Sequence, residues 1–197
     1  METIIVATGN ENKIKEIRAV TQKLGIDVMS KDSVGLKDID VVEDGTTFEE
    51  NSLKKAREIM KLTGKPTLAD DSGLEVMYLD GAPGIYSARF AGEEHNDKKN
   101  NEKLLSLLKD VPWEERTARF VTVITLTLPD GRVIVARGEC PGHINTEPVG
   151  SQGFGYDPVF VPGGYSETFA ELGPEVKNVI GHRARALKHL SEQLANL

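Results

Sequence analysis

Apolar positions along this chain keep two periods, near 2 and near 3.6, and short polar motifs stand where one gives way to the other. Thr3–Ala7 is a β-branched run that predicts a buried strand. Ile14, Ile17, Val20 and Leu24 recur at helical spacing, predicting a helix over 12–24 with Gly25 as its stop. Ile26–Met29 reads as a second strand, and a strand–helix–strand opening points to an α/β fold. Residues 31–46 are polar and aperiodic, so they read as a loop. Thr47 with Glu50 three positions on is a capping-box pattern. Its helix runs to about Thr63, offers Phe48, Leu53, Ala56, Ile59 and Met60 for burial, and ends at Gly64 and Pro66. Thr67–Ala69 predicts a strand delivering Asp70 and Asp71 at its C-terminal end.

Residues 82–92 read as a loop, and 96–109 as a helix through Leu104, Leu105, Leu107 and Leu108. Over 117–128, Ala118, Phe120, Thr122, Ile124, Leu126 and Leu128 alternate as a half-buried strand does. Pro129-Asp130-Gly131 is a turn, and 133–136 is the returning arm of a hairpin. The Gly- and Pro-rich stretch 141–168 reads as the longest irregular region. Pro174 can start a short helix, and 182–194 forms the last one, with Ala186, Leu187, Leu190 and Leu194 on one side.

The 197 residues suffice for one substantial domain or two lobes sharing a core, and 39% hydrophobic with 28% charged residues reads as soluble and globular. A net charge of −7 argues against binding long nucleic acid, which needs a broad basic surface, but leaves room for a small phosphorylated ligand beside clustered lysines. No apolar run reaches membrane-helix length, so no membrane partner is expected. The start of the chain lacks a basic n-region, and the single cysteine, Cys140, has no internal partner. A cytoplasmic location is the expectation.

Four motifs carry candidate chemistry. Thr8-Gly9-Asn10-Glu11-Asn12-Lys13 lies between a strand and a helix, where N–H groups and the helix dipole attract phosphate and Lys13 adds a point charge. It lacks the Walker ending, and the same residues also describe an ordinary capped turn. Asp70 and Asp71 are hard-oxygen ligands of the type Mg2+ takes, with Ser72-Gly73 behind them. Adjacent strand residues face opposite sides, so one of the two carboxylates stands directly in a site and the other behind it. Gly153-Phe154-Gly155-Tyr156-Asp157-Pro158 sets a ring between glycines, as a platform for a base or a plug into the core. His182-Arg183, with Lys177 upstream, supplies donors for an acceptor on a base edge.

Together these motifs resemble the inosine/xanthosine triphosphate pyrophosphatase family, from Ile4 to about Leu190. The matching stretches are Ala7-Thr8-Gly9-Asn10 with Lys13, Thr47–Asn51 with Lys54-Lys55-Ala56, Ala69–Leu74, Pro83–Arg89, Gly153–Pro158 and His182-Arg183. Gly181 departs from the family's usual serine before His-Arg. The resemblance implies a long, twisted mixed sheet flanked by helices, in a single domain of two lobes with a central active-site cleft. It implies a homodimer and Mg2+-dependent hydrolysis of ITP, dITP or XTP to the monophosphate and pyrophosphate. It makes Asp71 the proton acceptor and a metal ligand beside Glu43, with Asp70 in support. Thr8, Gly9, Asn10, Lys13, Lys54 (or Lys55), Ser72, Phe154, Gly155, Tyr156, Asp157, Lys177, His182 and Arg183 are the substrate contacts. A 6-oxo base would pair with donors from His182, Arg183 or Lys177, whereas adenine meets them donor to donor. A Maf-type pyrophosphatase of other substrate preference and a non-catalytic nucleotide-binding regulator are the alternatives; the carboxylates beside phosphate-binding positions argue against the second.

Overall fold

A computed structural model describes residues 3–92 and 96–196; His95 lies outside them. The elements run β1 (Ile4–Val6), α1 (Glu11–Lys23), β2 (Val28–Ser30), α2 (Phe48–Thr63), β3 (Thr67–Val76), α3 (Asp97–Leu107), β4 (Thr117–Thr127), β5 (Val133–Ile144), β6 (Phe160–Pro162), α4 (Phe169–Ile180) and α5 (His182–Ala195). They build one six-stranded sheet in the order β2-β1-β3-β4-β5-β6. β1 pairs in parallel with β2 and β3, while β5 and β6 are antiparallel, so the sheet is mixed as expected.

The chain divides into two compact units. The first holds the chain up to Asp71, Thr122–Gly138 and everything from Arg183 on; the second holds Ser72–Val121 and Glu139–His182. In the first, Ile4, Val6 and Leu68 pack with Ile17, Val20, Ala184 and Leu187, and Ile5, Ala7 and Ala69 pack with Ala56 and Ile59. In the second, Leu74, Val76, Leu104, Leu108, Phe120, Phe160 and Phe169 form a separate core. Arg116 lies fully buried there, donating to the carbonyls of Leu108, Ile144 and Asn145 at 2.5–2.7 Å, so its charge meets peptide dipoles.

Local rules account for most element ends. Asn10 caps α1 by accepting from the N–H groups of Asn12 and Lys13, and Gly25 follows the helix at φ 70°. Thr47 caps α2 by accepting from Glu50 N–H, while the Glu50 carboxylate reaches back to the N–H and hydroxyl of Thr46. Gly173 breaks α4 at φ 78°, and Pro174 restarts it as expected.

Two expectations are corrected. β3 does not end at Ala69; it continues through Asp70-Asp71-Ser72-Gly73 to Val76. That polar run reads as the end of a strand only while its counter-charges on other elements are unknown. The stretch 141–168 contains the end of β5 and all of β6. Gly142 is why: a Cβ there would lie 2.2 Å from the Val161 carbonyl oxygen, so the residue that looks like a strand breaker is what lets the two backbones pair.

Candidate active site

Strand alternation extends from the apolar core into the acids. Ala69 faces α2 and Leu68 faces α1 and α5, and the next two residues keep that order. Asp71 meets Asn51 and Lys55 of α2, one helical turn apart; Asp70 meets Lys13 of α1 and Arg183 of α5.

On the Asp71 face, Asn51 Nδ2 donates to Oδ2 at 3.2 Å, and Lys55 Nζ lies 3.5 Å from Oδ1. The same ammonium donates to Glu43 Oε1 at 2.8 Å, so the two carboxylates converge on one cation. Burial pushes the Asp71 carboxyl above its usual range, only partly offset by Lys55 and Lys13, with the Glu43 charge adding to the rise. Lys55 is held charged: burial opposes this, and Asp71 and Glu43 outweigh burial.

On the other face, Arg183 Nε and Nη2 both donate to Asp70 Oδ2, at 3.2 and 2.9 Å, and Nη1 donates to Glu16. Lys13 Nζ stands 3.2 Å from Asp70 Oδ1. Burial alone would raise the Asp70 carboxyl; Lys13 and Arg183 reverse it and hold it far below the usual carboxylate range.

The Arg183 guanidinium is buried and engaged by two carboxylates. Asn10 uses its side-chain oxygen as the cap of α1, and Thr8 Oγ1 accepts from Asn10 N–H, so these two shape the loop and leave Gly9 exposed. Lys54 pairs at 2.7 Å with exposed Asp44; Lys55, not Lys54, stands between buried Asp71 and half-buried Glu43.

The second unit carries a separate polar cluster. Asp157 Oδ2 accepts from Phe154 N–H at 2.9 Å and from Lys177 Nζ at 2.7 Å. That ammonium lies 4.4 Å from the Phe154 ring centroid. A Cβ on Gly153 would sit 2.1 Å from Asp157 Oδ2, so only glycine permits the turn. Tyr156 is a plug: its hydroxyl donates to Ser87 O at 2.7 Å, and burial, then the Asp97 charge, raises its phenol. His182 is buried and stacks on Phe120 at 4.6 Å. Ser72 is half-buried in β3. Gly181 lets the chain pass Lys177 closely, since a Cβ would lie 2.4 Å from the Lys177 carbonyl oxygen.

A family model for the Ham1 family matches residues 4–193. The chain belongs to the Ham1 family. A dITP/XTP pyrophosphatase of Clostridium perfringens is 50% identical over all of this chain and 99% of its own. The Ham1 protein of Staphylococcus aureus shares 40% identity and a TM-score of 0.87, covering 99% of both chains. A HAM1 protein of Coxiella burnetii shares 38% identity and a TM-score of 0.88 over the whole of both. No helix of this Ham1 family member, among the described residues, is long and apolar enough to cross a membrane.

The residues fit the Mg2+ that the resemblance implies. Glu43 and Asp71 already direct oxygens at one cation, and Mg2+ commonly takes one or two carboxylates and fills its shell with water and substrate phosphate. Among the described residues no three His, Cys, Asp or Glu side chains converge. Sequence reasoning missed Glu16 and Asn51. The available signal was helical spacing: Glu16 follows Lys13 by three, and Asn51 precedes Lys55 by four.

Proposed function

We propose that this chain hydrolyses ITP, dITP and XTP to the nucleoside monophosphate and pyrophosphate, with Mg2+ as its metal, and so cleanses the nucleotide pool. The observation that carries this reading is the convergence of Glu43 and Asp71 on Lys55, in a chain alike along its whole length to dITP/XTP pyrophosphatases. Water adds to the α-phosphorus, the α–β anhydride bond breaks, and pyrophosphate leaves. Glu43 and Asp71 would hold Mg2+, which when bound would supply charge neutralisation and a more acidic water.

The chain's own residues do the rest. The Thr8-Gly9-Asn10 loop, Lys13 and Lys54 or Lys55 hold phosphate oxygens. Asp71 positions the metal and the attacking water first and accepts the proton second, since a carboxylate on Mg2+ is a weak base. Asp70 keeps Lys13 in place against Arg183. Phe154 stacks on the base, with Gly155, Tyr156 and Asp157 shaping its platform and Ser72 beside Asp71 completing the contacts. Lys177 and His182 are donors toward the 6-oxo group, which adenine lacks. Residues 1–197 act as one domain of two lobes, as a cytoplasmic homodimer, without nucleic-acid polymer or membrane as partner.

Mixing the protein with Mg2+ and each of ITP, dITP, XTP, GTP, ATP and dTTP tests the reading. Pyrophosphate should appear with the first three far faster than with the others. Preference for ATP or dTTP, or no release at all, would overturn it.

A further inference from the structure

The aromatic loop of the second unit is held from two sides, and one of them belongs to no role given above. Asp97, the first residue of α3, accepts from Gly155 N–H through Oδ2 at 2.7 Å. Asn101, one turn on and buried, donates from Nδ2 to Gly155 O at 3.0 Å. From the other side, Asp157 Oδ2 accepts from Phe154 N–H. The peptide planes before and after Phe154 are therefore each fastened by a carboxylate. Fixing two successive peptide planes fixes φ and ψ of the residue between them, and hence the direction of its Cα–Cβ bond.

The loop needs such fastening. Gly150, Gly153 and Gly155 all adopt positive φ, at 85°, 78° and 62°, and glycine resists no rotation away from those angles. A charge-assisted bond to a backbone N–H is among the stronger ways to oppose that freedom.

We propose that Asp97 and Asn101 are positioning residues for base recognition: they grip the Gly155 peptide from α3 and hold the Phe154 ring where it stacks on a purine. The kinetic part rests on the pyrophosphatase reading above; the grip itself does not. The spacing is what makes it work. Residues 97 and 101 share one face of α3, so a single rigid helix presents an acceptor and a donor to the two ends of one residue's backbone. Neither side chain is assigned a contact with the nucleotide, so their loss acts through Phe154.

Asp97→Ala and Asp97→Asn separate positioning from general stability, since Asn keeps an acceptor of the same length. In steady-state kinetics, Asp97→Ala should raise KM for ITP and XTP alike by about 5- to 30-fold, a large part of what stacking on one ring contributes, with kcat within about twofold. Asp97→Asn should recover most of that loss. Hydrogen exchange read by mass spectrometry should show faster exchange over 153–156 in Asp97→Ala, with the rest of the chain unchanged. Asn101→Ala should move both readouts in the same direction. An unchanged KM, a fall in kcat without a rise in KM, or unchanged exchange over 153–156 would each overturn the proposal. Absence of pyrophosphate release by the wild-type protein is a different failure, that of the pyrophosphatase reading, and is visible before any variant is made. In that case the exchange experiment still decides whether Asp97 grips the loop.

Discussion

Arg183 and Asp70 form a buried two-pronged pair in which Nε and Nη2 of one side chain donate to a single carboxylate oxygen of the other. The guanidinium is held by carboxylates on both sides. It is the counter-charge that lets a carboxylate stand in the middle of a buried strand, and Glu16 completes its neutralisation.

Asp70→Asn should therefore destabilise the protein by about 3–5 kcal/mol at pH 7, because Arg183 and Lys13 lose their shared partner in a buried place. The sign with pH follows from the depressed carboxyl. Its stabilisation is fully present above the unfolded value of about 3.9 and is lost as pH falls toward the lower folded value. Urea midpoints of wild type and Asp70→Asn should accordingly approach one another below about pH 4. A gap that stays constant from pH 7 to pH 3 would show that the pair does not carry the effect.

Arg183→Ala should lower kcat/KM for ITP and ATP in the same proportion, since it removes support for Asp70 rather than a base contact. Steady-state kinetics on both substrates checks this. A selective loss with ITP would return Arg183 to the base edge.

Asp71→Asn should leave the fold nearly intact and remove turnover. Burial already works against the charged form, so a neutral isostere is tolerated. Loss of a proton acceptor costs about 100- to 10,000-fold in rate. A variant that keeps even a third of wild-type ITP hydrolysis at saturating Mg2+ would exclude Asp71 as that acceptor.

Phe154→Ala should weaken ITP, XTP and GTP together by about 1–3 kcal/mol, roughly 5- to 150-fold, because every purine offers a π-face. Calorimetric titration under non-hydrolysing conditions measures it, and a loss confined to one base would contradict stacking.

Much of this was legible in the chain. The strand–helix opening, the cap at Thr47, the stop at Gly25 and the break before Pro174 follow local rules that act within a few residues. What escaped depends on partners far along the sequence. Asp70-Asp71-Ser72-Gly73 looks like the end of a strand until Arg183 and Lys55 are brought to it, and Gly142 looks like a breaker until Val161 lies against it. Among the candidate site residues, Lys13, Asp71 and Phe154 were picked out by residue type. Glu16, Asn51, Asp97 and Asn101 were not, because each acts by holding another residue, and holding leaves no mark on composition.

The alternation along β3 makes reading frame a functional quantity. Lengthening the strand by one residue ahead of Asp70 would exchange the two acids: the one made to stay ionised beside Arg183 would turn toward α2, and the one kept protonatable would turn toward the guanidinium. Both carboxylates would survive such an insertion, and neither would meet the partner its neighbourhood was built for. Length errors in this strand should thus be more damaging than most single replacements within it.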